Sequence, residues 1–197
     1  SAYISEQIWR QVVELKKVKP VVVSMGNVAA SGGYYISCAA NKIIAEPNTL
    51  TGSIGIFGMF PNASGLFGKL ALTTDIVKTN TFSDLGDLSR PMTESEKALI
   101  QGYVERGYQT FLSRCAEGRG MTTEAVNAIG QGRVWTGEQA KERGLVDELG
   151  GIELAISTAA GLADLDQYSV TTVSGSKNFL DEFLESQLGE VKLSIIK

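Results

Sequence analysis

The sequence predicts an α/β domain with mainly parallel strand pairing. Short, largely apolar runs rich in β-branched residues recur at 21–25 and 42–45, as expected of strands covered on both faces. Stretches with helical spacing lie between and after them, so strand and helix alternate along the chain. Glycines gather at the joins, where a backbone must turn sharply or approach another segment closely.

Taken in order, residues 2–15 read as a helix with Ile4, Ile8, Val12 and Leu15 on one face. The run 21–25 is a buried strand, 34–40 a helix, and 42–45 and 50–58 strands, the last broken up by Gly52, Gly55 and Gly58. Residues 63–70 suit a short helix, 73–78 a strand, and the polar stretch 79–91 a loop. Thr93-Glu94-Ser95-Glu96 is a capping box that opens a long helix, with Leu99, Tyr103, Phe111, Leu112 and Cys115 on its apolar face and Gly118 and Gly120 at its end. Thr122 starts another helix, and Thr136-Gly137-Glu138-Gln139 forms a second capping box. A small-residue helix is expected at 152–162, a last strand at 169–173, and an amphipathic helix through Phe179, Leu180, Phe183, Leu184 and Leu188. The 197 residues fit one domain, with the tail 174–197 peripheral to it.

Composition narrows the chemistry. With 43% hydrophobic and 20% charged residues the chain has the make-up of a globular protein, and a net charge of −4 argues against nucleic-acid binding. Lys16, Lys17 and Lys19 form the only basic cluster, read as a solvated helix end. No run approaches the ~18 apolar residues of a membrane span. Because a helix already runs from the second residue, we expect this chain to be part of a longer one, with any anchor upstream. Cys38 and Cys115 sit in apolar surroundings and read as two buried free thiols. Histidine is absent, which excludes a Ser-His-Asp triad, a Cys-His pair and His-based metal sites within the chain. No cofactor is required.

One stretch stands out. The strand run Val21-Val22-Val23-Ser24-Met25-Gly26 passes through Asn27-Val28-Ala29-Ala30 to Ser31-Gly32-Gly33-Tyr34. A hydroxyl at a strand–turn–helix join, with two glycines behind it, suits a nucleophile whose neighbouring backbone N–H groups receive an oxyanion. The same residues also suit a plain tight turn, and their spacing leaves both readings open.

Resemblance favours the first. The segment 19–37, the block Thr49-Leu50-Thr51-Gly52-Ser53-Ile54-Gly55-Ile56-Phe57-Gly58 and the blocks Gly132-Arg133-Val134-Trp135-Thr136-Gly137, Ala140-Lys141 and Gly144-Leu145-Val146-Asp147-Glu148-Leu149-Gly150 resemble the signal peptide peptidase A (protease IV) family. The resemblance implies a crotonase-like (ClpP-like) fold of stacked ββα units, which pattern alone does not separate from a doubly wound sheet. It implies a Ser/Lys-dyad serine endopeptidase that cleaves remnant signal peptides and other apolar peptides. It also implies a homo-oligomer, a tetramer by family, at the extracytoplasmic side of a bacterial inner membrane. Ser31 would be the nucleophile, Gly32 the first oxyanion donor, and Ser53 the residue orienting the lysine ammonium.

The chain departs from the family at the base. Short members carry the lysine in the loop after the strand ending near residue 78, where this chain has Ser83, and Lys78 matches a different position. Long members take the base from an N-terminal domain of the same protein, so this chain resembles their C-terminal half. There the second oxyanion donor belongs to a Pro-Gly-Gly-Ser segment whose last residue would be Ser1. Two other readings share the fold: an acyl-CoA enzyme of the crotonase type, which needs no nucleophilic serine, and a non-catalytic half that serves assembly.

Overall fold

The structure, a computed structural model, describes residues 1–173, which include all of one compact unit (1–165) and the start of a second (166–197). The first unit is built on two three-stranded sheets. One has the order β1 (Val22–Met25), β3 (Lys42–Ala45), β6 (Glu148–Leu149), all parallel. In the other, β2 (Val28–Ala30) pairs parallel with β4 (Leu50–Gly52), which pairs antiparallel with β5 (Val134–Thr136). The chain therefore steps from one sheet to the other within each unit of two strands. Val22 lies opposite Lys42 in the first sheet and Val28 opposite Leu50 in the second, so successive ββ units stack as turns of a coil. This is the arrangement expected of the ClpP-like α/β class.

The helices are α1 (Ala2–Lys16), α2 (Gly32–Ser37), α3 (Ser64–Lys69), α4 (Glu94–Arg119), α5 (Thr123–Ile129), α6 (Gly137–Glu142) and α7 (Ile152–Leu162). Both capping boxes form, on Thr93 with Glu96 and on Thr136 with Gln139. The core gathers Trp9, Met25, Tyr34, Cys38, Ile43, Ile54, Phe111, Cys115 and Leu145 from α1, α2, α4, the first sheet and the loops between, with Ala29 and Trp135 of the second sheet packed against it. Cys38 and Cys115 are buried and free, as expected.

Several expectations need correction. On α1 the buried residues are Ser5 and Trp9, with Val12 and Val13 packed beside them, while Ile4, Ile8 and Leu15 are exposed. The helix turns Trp9 inward and its smallest polar residue, Ser5, towards Gly32, while Tyr3 stays exposed. Strand β4 ends at Gly52 because Gly52 and Ser53 both take left-handed φ (76° and 50°), which no extended strand tolerates. Residues 73–78 form no strand, since no neighbour pairs with them, and Val77 is 98% exposed. Residues 169–173 have no regular structure either, and the helix expected near 179–188 lies outside the described residues. Helix α2 is also shorter and earlier than expected, beginning directly after Ser31. Strands β2 and β5 are too short to carry a pattern of their own.

Candidate active site

Strand β2 leads straight into Ser31, which caps α2 at φ 53° and ψ −115°. A non-glycine residue in that region stores about 1–3 kcal/mol of strain and persists only where its surroundings hold it. Here the Ser31 N–H donates to the Gly52 carbonyl (2.9 Å), and the Ser31 carbonyl accepts the Tyr35 N–H (2.9 Å). The side chain is exposed. Gly32, the first residue of α2, has no intrahelical acceptor for its N–H, so that donor is free to face a ligand. A Cβ on Gly32 would stand 2.9 Å from Ser5 Oγ, so the Ser5 hydroxyl would have to turn aside.

Ser31 and Gly32 open onto a cavity of about 580 Å³. Its walls come from the first turns of α1 (Ser1, Ala2, Tyr3, Ser5, Glu6), from Tyr35, from Gly55, Ile56 and Phe57, and from Gly107, Thr110 and Phe111 of α4. Aromatic and aliphatic side chains dominate, with Glu6 as the charged side chain among them. The segment beyond β4 can pass this close because Gly55 lacks a Cβ, which would meet Gly132 N at 2.7 Å. That close approach is the role expected of the glycines after residue 50.

Of the residues singled out by sequence, Ser31 and Gly32 share the cavity. Ser53 does not line it, but follows Gly52, whose carbonyl holds Ser31, and donates its own N–H to Arg133 O (2.8 Å). No lysine lines the cavity among the described residues. Lys78 pairs with Asp84 (3.1 Å), in keeping with a surface role. Ser83 Oγ donates to Asn80 O (3.1 Å) within its own loop and does not line the cavity. That loop is clamped by Arg90, which bonds Asp84 (2.7 Å) and Glu96 (2.6 Å).

Sequence reasoning missed a polar cluster beside the cavity. Tyr35 OH donates to Glu6 Oε2 (2.5 Å), Arg114 donates to Glu6 Oε1 (2.7 Å), and the Arg114 guanidinium stacks 4.0 Å from the centre of the Trp9 ring. Burial pushes the Glu6 carboxyl up, but the hydrogen bonds from Arg114 and Tyr35 outweigh it and hold it below its ordinary range. Burial, followed by the carboxylate of Glu6, raises the Tyr35 phenol. Glu6 stays ionised and Tyr35 stays a donor. Nothing in the sequence spacing joins Glu6, Tyr35 and Arg114, which lie on three different helices.

Residues 13–166 match the profile of peptidase family S49. Protease 4 of Salmonella typhi is 41% identical over 174 residues, which are 88% of this chain and 28% of that protein. The chloroplastic serine protease SPPA of Arabidopsis thaliana is 38% identical over 165 residues, 83% of this chain and 24% of its own length. The chain thus spans about a quarter of the length of these two relatives. Among solved structures, a ClpP1 mutant from Listeria monocytogenes aligns with a TM-score of 0.42 and 14% identity, over 79% of this chain and 89% of that one.

Proposed function

Because the chain belongs to peptidase family S49, we propose that it is the nucleophile-bearing domain of a serine endopeptidase that uses a Ser/Lys dyad. The observation that carries this reading is Ser31 itself, exposed, strained, and joined to Gly32 at the edge of an apolar cavity. A neutral lysine takes the proton from Ser31 Oγ as the oxygen attacks a peptide carbonyl. The Gly32 N–H faces the oxyanion, a contribution of roughly 2.7–4 kcal/mol for a donor of this kind. The lysine then protonates the departing amine, and water, deprotonated by the same lysine, frees the acid. Ser53 orients that ammonium from beside Gly52.

The lysine comes from outside this chain, from an N-terminal domain of the same protein. The absence of any lysine from the cavity lining among the described residues is consistent with this source. Ser1 borders the cavity, which supports a second oxyanion donor in the residues bonded to it. Substrates are apolar peptides such as remnant signal peptides, matched by the aromatic and aliphatic walls, and the working enzyme is a homo-oligomer at a bacterial membrane. Among the described residues no helix is long and apolar enough to cross one. The test is peptide turnover by this chain alone and with the N-terminal domain added. Negligible turnover alone and Ser31-dependent turnover together are expected. Strong turnover by the chain alone, lost on Ser31→Ala, overturns the external base.

A further inference from the structure

We propose that Glu6, acting through Tyr35, is a positioning residue for the reacting serine: the Glu6–Tyr35–Arg114 cluster is the brace that holds the Ser31 turn in its strained conformation. The inference rests on the reading of Ser31 as nucleophile and adds what keeps that nucleophile in place. Ser31 occupies a backbone region that needs support from its surroundings. Two backbone hydrogen bonds give part of that support, one to Gly52 and one from Tyr35. Tyr35 is therefore the handle on the turn, and its own position is fixed at the far end of its ring. There the hydroxyl donates to Glu6 on α1, and Glu6 is held by Arg114 on α4 through contacts of 2.7 and 3.3 Å.

A carboxylate bonded to a guanidinium and a phenol makes strong, directional contacts, stronger than neutral ones. The guanidinium is in turn seated on the Trp9 ring, and the Tyr35 ring lies 4.8 Å from Phe111. Three helices thus meet one turn below Ser31. Because α2 has only six residues, its own hydrogen bonds cannot fix its direction, and side-chain ties to α1 and α4 must do so. Glu6 and Tyr35 also border the cavity, so a change in substrate contact would appear in KM, whereas a loosened turn appears in kcat.

The experiment uses the full-length protein, with Tyr35→Phe, Glu6→Gln, Glu6→Leu and the double variant Tyr35→Phe/Glu6→Leu. It reads the rate constant and final amplitude of fluorophosphonate labelling at Ser31, and kcat and KM for an apolar peptide. Tyr35→Phe and Glu6→Leu are expected to slow labelling and kcat by about tenfold or more, with full amplitude and unchanged KM. Glu6→Gln, which keeps the shape and an acceptor for Tyr35, should recover part of the rate. The double variant should be no slower than Glu6→Leu alone, as expected of groups acting as one unit. Parental rates at full amplitude in Tyr35→Phe and Glu6→Gln overturn the brace. So do a loss of amplitude at unchanged rate constant, which marks a merely structural role, and a change confined to KM. Failure of the parent protein to label at Ser31 would instead defeat the assignment of the nucleophile.

Discussion

At Ser31 the motif read from the sequence becomes a strained turn at the edge of a cavity. The sequence showed a hydroxyl followed by two glycines, and the structure shows which segment packs against the first of them. Ser5 packs against Gly32 so closely that a Cβ would come within 2.9 Å of its Oγ. Gly32→Ala should therefore push the Ser5 side chain out of its rotamer, at about 0.5–1.5 kcal/mol, read as a lower Tm. Ser5→Ala in the same chain removes the colliding atom and should recover most of that loss. If the double variant is no more stable than Gly32→Ala, the tight contact with Ser5 is not what lowers the Tm. Sequence alone could not supply this contact, because Ser5 and Gly32 lie on different helices and nothing in their spacing joins them.

Among the elements, those with local signals were legible. Helices α4 and α6 announced themselves through capping boxes, and β1 and β3 through apolar runs that both ended where expected. Strands β2 and β5, each of three residues, owe their existence to partners distant in sequence and left no pattern. The stripe on α1 misled for a related reason: Ile4 and Ile8 look like a core face until Trp9 is seen to occupy it. The start of α4 also carries a pH signature. Arg90 and the Thr93 N–H hold the Glu96 carboxyl down to about 2, against an ordinary value of 4.5. A carboxyl lowered in the folded state contributes stability above its unfolded value and loses it as pH falls towards the folded one. Thermal stability should therefore drop between about pH 4.5 and 2, and Arg90→Met should flatten that part of the curve. A variant with the same acid dependence as the parent would show that the Arg90 clamp is not responsible.

In the molecule as a whole, two stacked ββ units bring β2 and β4 side by side, with Ser31 at the end of one and Gly52 at the end of the other. Helices α1 and α4 close over that edge and form the cavity. The class of fold was visible in the sequence as alternation, and its narrower form came from resemblance, because the crossing between sheets leaves no periodic trace. Everything proposed for the site depends on Ser31 being a nucleophile activated from outside this chain. The most direct test is fluorophosphonate treatment of the full-length protein, with the adduct mapped by mass spectrometry and peptide turnover followed in parallel. A single adduct on Ser31 is expected, lost together with turnover in Ser31→Ala. An adduct on another residue, or turnover that survives Ser31→Ala, would contradict that role.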